Sequence, residues 1–164
     1  MNMINALAIS IGVLAAVATY LCLGTALGLQ VWALFIGWGS FFHTGGGTEG
    51  LTKSATNHIW GVVIAAVTLI IVGTVGGSVA VTSGIVGVSV AVLVLGAHSA
   101  ALSTIPAGVY GYAATAAFAL LTGVAIGDAG AMAKAAFIVL VSLIIGNVFG
   151  FVSQKIAGAM AAES

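Results

Sequence analysis

The chain has 164 residues, 62% of them hydrophobic, with three Lys/Arg against three Asp/Glu and a mean hydropathy of +1.31. A soluble domain carries roughly 25% charged residues, so this composition excludes a water-solvated globule and implies an integral membrane protein. Zero formal net charge without a single arginine argues against a nucleic-acid partner.

The first predicted element is an apolar run over residues 4–27. It lacks a basic leader and is too long for a signal peptide, so it reads as a first transmembrane helix. Cys22 lies within it. A lone cysteine forms no intramolecular disulfide and no thiolate metal cluster, and reads as a small buried hydrophobe. The second segment, residues 31–42 ("VWALFIGWGSFF"), is short. As a helix it spans about 18 Å against a hydrocarbon core of about 30 Å. His43, Thr44, Gly45, Gly46 and Gly47 follow it. Two readings stand. One is a re-entrant turn whose backbone and imidazole replace solute hydration. The other is a surface loop with a glycine helix cap.

Glu49 is expected to be solvated in this connection. Ser54, Asn57 and His58 share one helical face at i, i+3, i+4. They precede the third segment, residues 59–75, and either line a vestibule or end a helix anchored by Trp60. The fourth segment covers residues 79–97. His98 follows, then Ser99, Ser103, Thr104 and the only proline, Pro106. Pro106 either starts or kinks the fifth segment, residues 105–121, which is interrupted by glycines. Asp128 lies in the next connection. The sixth segment, residues 135–152, carries Asn147 between Gly146 and Gly150, suited to an interhelical hydrogen bond or to pore lining. No segment alternates with period two, so a helical bundle is expected rather than a β-barrel.

The two halves of the chain are similar. Residues 11–24 lie over residues 83–96 at an offset of 72, matching Gly12 with Gly84 and Gly24 with Gly96. Gly37 and Trp38 then match Gly111 and Tyr112 at 74, and Lys53 matches Lys134 at 81. Offsets that grow in one direction are what a duplication with insertions leaves. The expected fold is all-α: a polytopic membrane helix bundle in one domain, residues 1–164, with repeats over about 1–76 and 77–160. Six transmembrane segments form two inverted three-helix repeats with broken second and fifth segments. Three spans per repeat force the halves into opposite orientations, and paired broken segments point to a solute site at the midplane. Trp38 and Tyr112 are then constriction residues. His43 follows one broken segment and His98 precedes the other, so the two are not repeat equivalents. Lys53 and Lys155 fall on one side and Lys134 on the other. The positive-inside rule therefore places both termini in the cytoplasm.

The motifs "FFHTGGGTEGL" and "STIPAGVYGYAATAAF" resemble the YcdZ-like family of small bacterial inner-membrane proteins, a domain of unknown function. The resemblance covers nearly the whole chain. It implies the bacterial inner membrane and brings no activity with it.

Several chemistries lack their residues. "HTGGGTEGLTKS" does not have phosphate-loop spacing. No nucleophilic triad is recognisable, and no carboxylate or cysteine is spaced to complete a metal site with His43, His58 and His98. No enzyme, metal or cofactor is expected. A proton-coupled transporter usually keeps a carboxylate within the membrane, and no segment here has one. The expectation is a channel or facilitator for a small neutral or weakly charged polar solute, of the urea, amide, ammonia or small-acid class. Its path is lined by Trp38, His43, Thr44, Gly45, Gly46, Gly47, His58, His98, Tyr112 and Asn147. The partners are the lipid bilayer, the solute and further copies of the chain, since 24 glycines favour close helix contacts. The alternatives are an ion-coupled secondary transporter, with Asp128 or Glu49 reaching the interior, and a non-transport scaffold or partner subunit.

Overall fold

Six α-helices follow one another in the computed structural model, which describes residues 1–162: α1 (Met3–Leu23), α2 (Val31–His43), α3 (Gly47–Val75), α4 (Val79–Leu95), α5 (Ile105–Leu121) and α6 (Ala129–Ala162). Two single 3-10 turns, Gly96–His98 and Ala100–Leu102, connect α4 to α5. No strand occurs among the described residues. Four helical stretches are long and apolar enough to cross a membrane: α1, α3, α4 with its following turn, and α6. This is compatible with a multi-pass membrane protein. α2 and α5 are apolar but shorter, at 13 and 17 residues.

Two expectations change, and the alternatives for Pro106 resolve. The second and fifth segments are short, but each is one continuous helix. Their glycines interrupt nothing, because they serve as contact points for a neighbouring helix. Pro106 sits in the first turn of α5, where its missing N–H leaves no bond unmade. The third helix begins at Gly47 rather than near residue 59. Glu49 therefore lies in the first turn of α3 and pairs with Lys53 at 2.6 Å, one turn on. Asn57 and His58 are ten and eleven residues inside that helix. Polar residues continue it because backbone hydrogen bonds, not side-chain polarity, decide helix formation once the flanking helices pack against it.

The two long helices form the centre. α3 packs on α5, α6 and α4, while α6 packs on α2, α3 and α1. The short helices are fastened to the long ones by glycines. Gly37 of α2 sits against the Leu143 carbonyl of α6, and Gly146 of α6 against the Leu34 carbonyl of α2. The same contact recurs between α5 and α3, with Gly111 against the His58 carbonyl and Gly61 against the Gly108 carbonyl. Only hydrogen in place of Cβ lets the backbones approach this far. Around the middle, Ala33 of α2, Val62 of α3, Ala114 of α5, and Val139 and Leu143 of α6 form one buried apolar cluster.

Side-chain bonds set the levels of the connections. Asn57 Nδ2 donates to the Ala101 carbonyl, which holds the start of α5 about 15 Å along α3 from its first residue. In the same way Ser142 Oγ accepts the Gln30 N–H, just before α2, about 20 Å along α6. Each long helix thus projects beyond the connection tethered to it, at opposite ends of the bundle.

Candidate functional site

The turn between α2 and α3 explains its own composition. Gly45, Gly46 and Gly47 have φ of 96°, 69° and 64°, a left-handed run that side chains oppose. The Gly45 and Gly46 N–H groups donate back to the Phe42 and Phe41 carbonyls, closing α2. Thr44 Oγ1 donates to the Phe41 and Gly50 carbonyls. Gly47 N–H donates to Gln154 Oε1 on α6 at 2.8 Å. These residues make a helix-closing turn clamped to α6, at the end of the bundle that carries Glu49, Lys53 and Lys155.

His43 is exposed at the close of α2 and shares a 2.9 Å hydrogen bond between its Nδ1 and the Tyr110 hydroxyl of α5. This pair bridges α2 and α5 at the end where α5 starts recessed. At the opposite end of the same two helices, Gln30, Trp32, Ala117, Phe118, Leu121 and Thr122 surround a cavity of about 230 Å³. The apolar cluster around Ala33 and Ala114 lies between them.

Beside that cluster is a buried polar one. Ser40 Oγ of α2 and Ser54 Oγ of α3 are 2.7 Å apart. One turn further along α3, His58 Nδ1 meets Asn147 Nδ2 of α6 at 3.0 Å. All four side chains are at most 1% exposed. Asn147 Nδ2 also donates to the Leu143 carbonyl at 3.1 Å, so both amide hydrogens are used. A flipped amide sets its oxygen against that carbonyl, which fixes the orientation. His58 Nδ1 is then an acceptor, and the proton of the neutral ring is on Nε2. Among the described residues, three buried side-chain atoms have no hydrogen-bond partner: His58 Nε2, Asn147 Oδ1 and Asn57 Oδ1. Buried polar atoms are nearly always paired, and these three come from neighbouring positions on α3 and α6.

The other expected residues lie apart from this cluster. Trp38 is buried between α1 and α6 and donates its indole N–H to Ser153 Oγ at 3.1 Å. Tyr112, its counterpart in the sequence comparison, points instead to α4, with its hydroxyl 2.9 Å from Ser89 Oγ. The two aromatics share no partner. His98 is exposed in the first 3-10 turn after α4. No group of three or more His, Cys, Asp or Glu suited to a metal ion occurs among the described residues. Ser40, the partner of Ser54, escaped the sequence reading. It sits four residues after Ile36 in an apolar helix, and nothing local marks its hydroxyl. The glycine contacts relate α3 to α6 at an offset of 85, not the 81 that matched Lys53 with Lys134.

A family model described as "Protein of unknown function (DUF1097)" matches residues 8–158. No curated protein and no solved structure matches the chain.

Proposed function

Because the chain belongs to the DUF1097 family of proteins of unknown function, we propose an activity from its geometry: passive conduction of a small, uncharged polar solute across a membrane. The observation that carries this reading is the buried Ser40–Ser54 and His58–Asn147 cluster, one turn inside the His43–Tyr110 end of the α2–α5 seam. His43 and Tyr110 form one mouth, and the cavity beside Gln30 and Thr122 forms the other. The apolar cluster around Ala33 and Ala114 closes the path between them. Thr44, Gly45, Gly46 and Gly47 shape the first mouth by fixing where α2 ends. Trp38 and Tyr112 hold the surrounding helices, and His98 stands on the recessed connection beside that mouth.

The matched glycine contacts support two inverted three-helix repeats, with α1, α2 and α3 equivalent to α4, α5 and α6. A bacterial inner-membrane location, the narrower YcdZ-like kinship and cytoplasmic termini belong to the same proposal. A membrane path without an embedded carboxylate favours a channel over proton coupling.

Flux into proteoliposomes tests this reading. Swelling in formamide, urea, glycerol and formate is expected to exceed that of empty liposomes for at least one uncharged solute, without any gradient of protons or sodium. Equal permeability to empty liposomes for every solute removes the channel. Uphill accumulation on a proton gradient replaces it with a transporter. A second reading, a partner subunit, has its own observation: on α4 only Leu93 is buried, and an apolar groove of about 520 Å³ separates α4 from α3.

A further inference from the structure

The two glycine-fastened halves of the core pack alike but differ in polarity. Gly37 on Leu143 corresponds to Gly111 on His58, and Gly146 on Leu34 to Gly61 on Gly108. Even the next neighbours agree: Gly146 also faces the Trp38 N–H, and Gly61 the Tyr112 N–H. This correspondence equates α2 with α5 and α3 with α6 position by position. Ser40 then answers to Ala114, Ser54 to Val139, His58 to Leu143, and Asn147 to Val62. All eight are buried. The four apolar ones all belong to the central apolar cluster, and the four polar ones make the two hydrogen-bonded pairs.

One set shows that hydrocarbon side chains fill this geometry. The polar set is therefore not needed to pack the helices. It costs stability instead, since His58 Nε2 and Asn147 Oδ1 are buried without partners. A polar group held at such a cost, where an apolar one fits, implies something that bonds to it. The free atoms are complementary: Nε2–H is a donor, Oδ1 an acceptor. No charged side chain belongs to the cluster, so an ion entering it meets no countercharge.

We propose that Ser40, Ser54, His58 and Asn147 form a binding site for a small carboxamide or urea, whose carbonyl oxygen accepts from His58 Nε2–H and whose N–H donates to Asn147 Oδ1. The apolar mates Ala114, Val139, Leu143 and Val62 form the barrier on the other side. The site is thus the selective half of the proposed path, and the inference deepens that reading.

The replacement set is written in the protein itself: Ser40→Ala, Ser54→Val, His58→Leu and Asn147→Val, made together in the full chain. The variant is expected to insert and melt at or above the wild-type temperature. It is expected to lose formamide and urea permeation about tenfold or more, as removal of two hydrogen bonds to the solute requires. A folded variant that conducts like wild type overturns the proposal. A second measurement uses wild type alone. The His58 imidazole ¹⁵N resonance in nanodiscs is expected to shift saturably with formamide, while those of His43 and His98 do not saturate. An unmoved His58 signal overturns the site, because the cluster then holds water only, and this decides the matter if the variant fails to fold. Saturation at His58 in a protein that conducts nothing keeps the site and removes the channel.

Discussion

A single methyl group separates tolerated from disruptive changes at the glycines of this protein. A Cβ at Gly146 collides with the Leu34 carbonyl, and one at Gly61 with the Gly108 carbonyl. Both obstacles are helix backbone, which cannot rotate away. Gly146→Ala and Gly61→Ala are therefore each expected to cost about 2–3 kcal/mol by forcing a helix pair apart. At Gly12 a Cβ meets nothing, so Gly12→Ala is expected to hold or raise stability, by up to about 1 kcal/mol. Thermal unfolding of the three variants in detergent checks the contrast. Equal melting temperatures argue that the helix pairs are free to separate. His58 and Asn147 follow a different logic. Their mutual hydrogen bond satisfies one side of each group, and the other sides stay unpaired within the protein. Serine at position 40 was unreadable in advance, because a hydroxyl in an apolar helix most often satisfies itself on its own backbone. Only the 2.7 Å approach of Ser54 reveals it as half of a pair.

Among the helices, α1 and α4 hold matching positions against α6 and α3 but are not equally fastened. Ser10 Oγ of α1 donates to the Ser153 carbonyl, and Ala6, Ala18 and Cys22 are buried. α4 is held near its end, where the Trp60 indole N–H donates to the Leu93 carbonyl at 3.0 Å, and elsewhere leaves a groove toward α3. An association of further copies, expected from the glycine content, would use this groove and the open side of α4. Gly84 lines the groove with no atom near its missing Cβ. Gly84→Leu is thus expected to leave unfolding unchanged and to weaken subunit association. Size measurement in detergent or nanodiscs checks it, and an unaltered assembly takes α4 out of the interface. Helix boundaries were the least legible feature at this scale. The start of α3 was obscured by Thr48, Glu49 and Lys53, polar residues that extend the helix to Gly47. Three left-handed glycines supply the turn that lets it begin there.

For the molecule as a whole, the central apolar cluster decides whether the proposed path is open. Phe118 touches that cluster and also lines the cavity beside Gln30. Phe118→Ala is expected to join the cavity to the centre. It should raise amide permeability severalfold, at a stability cost of about 3 kcal/mol or less for this half-buried ring. Stopped-flow swelling checks the first part and thermal unfolding the second. Unchanged permeability in a folded variant places the barrier elsewhere. The projecting ends of α3 and α6, each beyond a tethered connection, give the bundle two recesses at opposite ends. On the proposed path, such an arrangement shortens the distance between polar surfaces.

The order of residues along the chain was enough for the all-helical class, the count of six apolar helices and their suitability for a membrane. These follow from local properties: apolar content, run length, and the absence of strand periodicity. It also made the glycines of α2 and α5 visible, and the pairing of Gly37 with Gly111. The tertiary structure alone decided what those glycines are for, since a close approach needs two partners that lie far apart in the chain. It alone joined His58 to Asn147 and Ser40 to Ser54, and separated Trp38 from Tyr112. A side chain's partner across a helix interface depends on rotation and register, and composition along one strand of sequence carries neither.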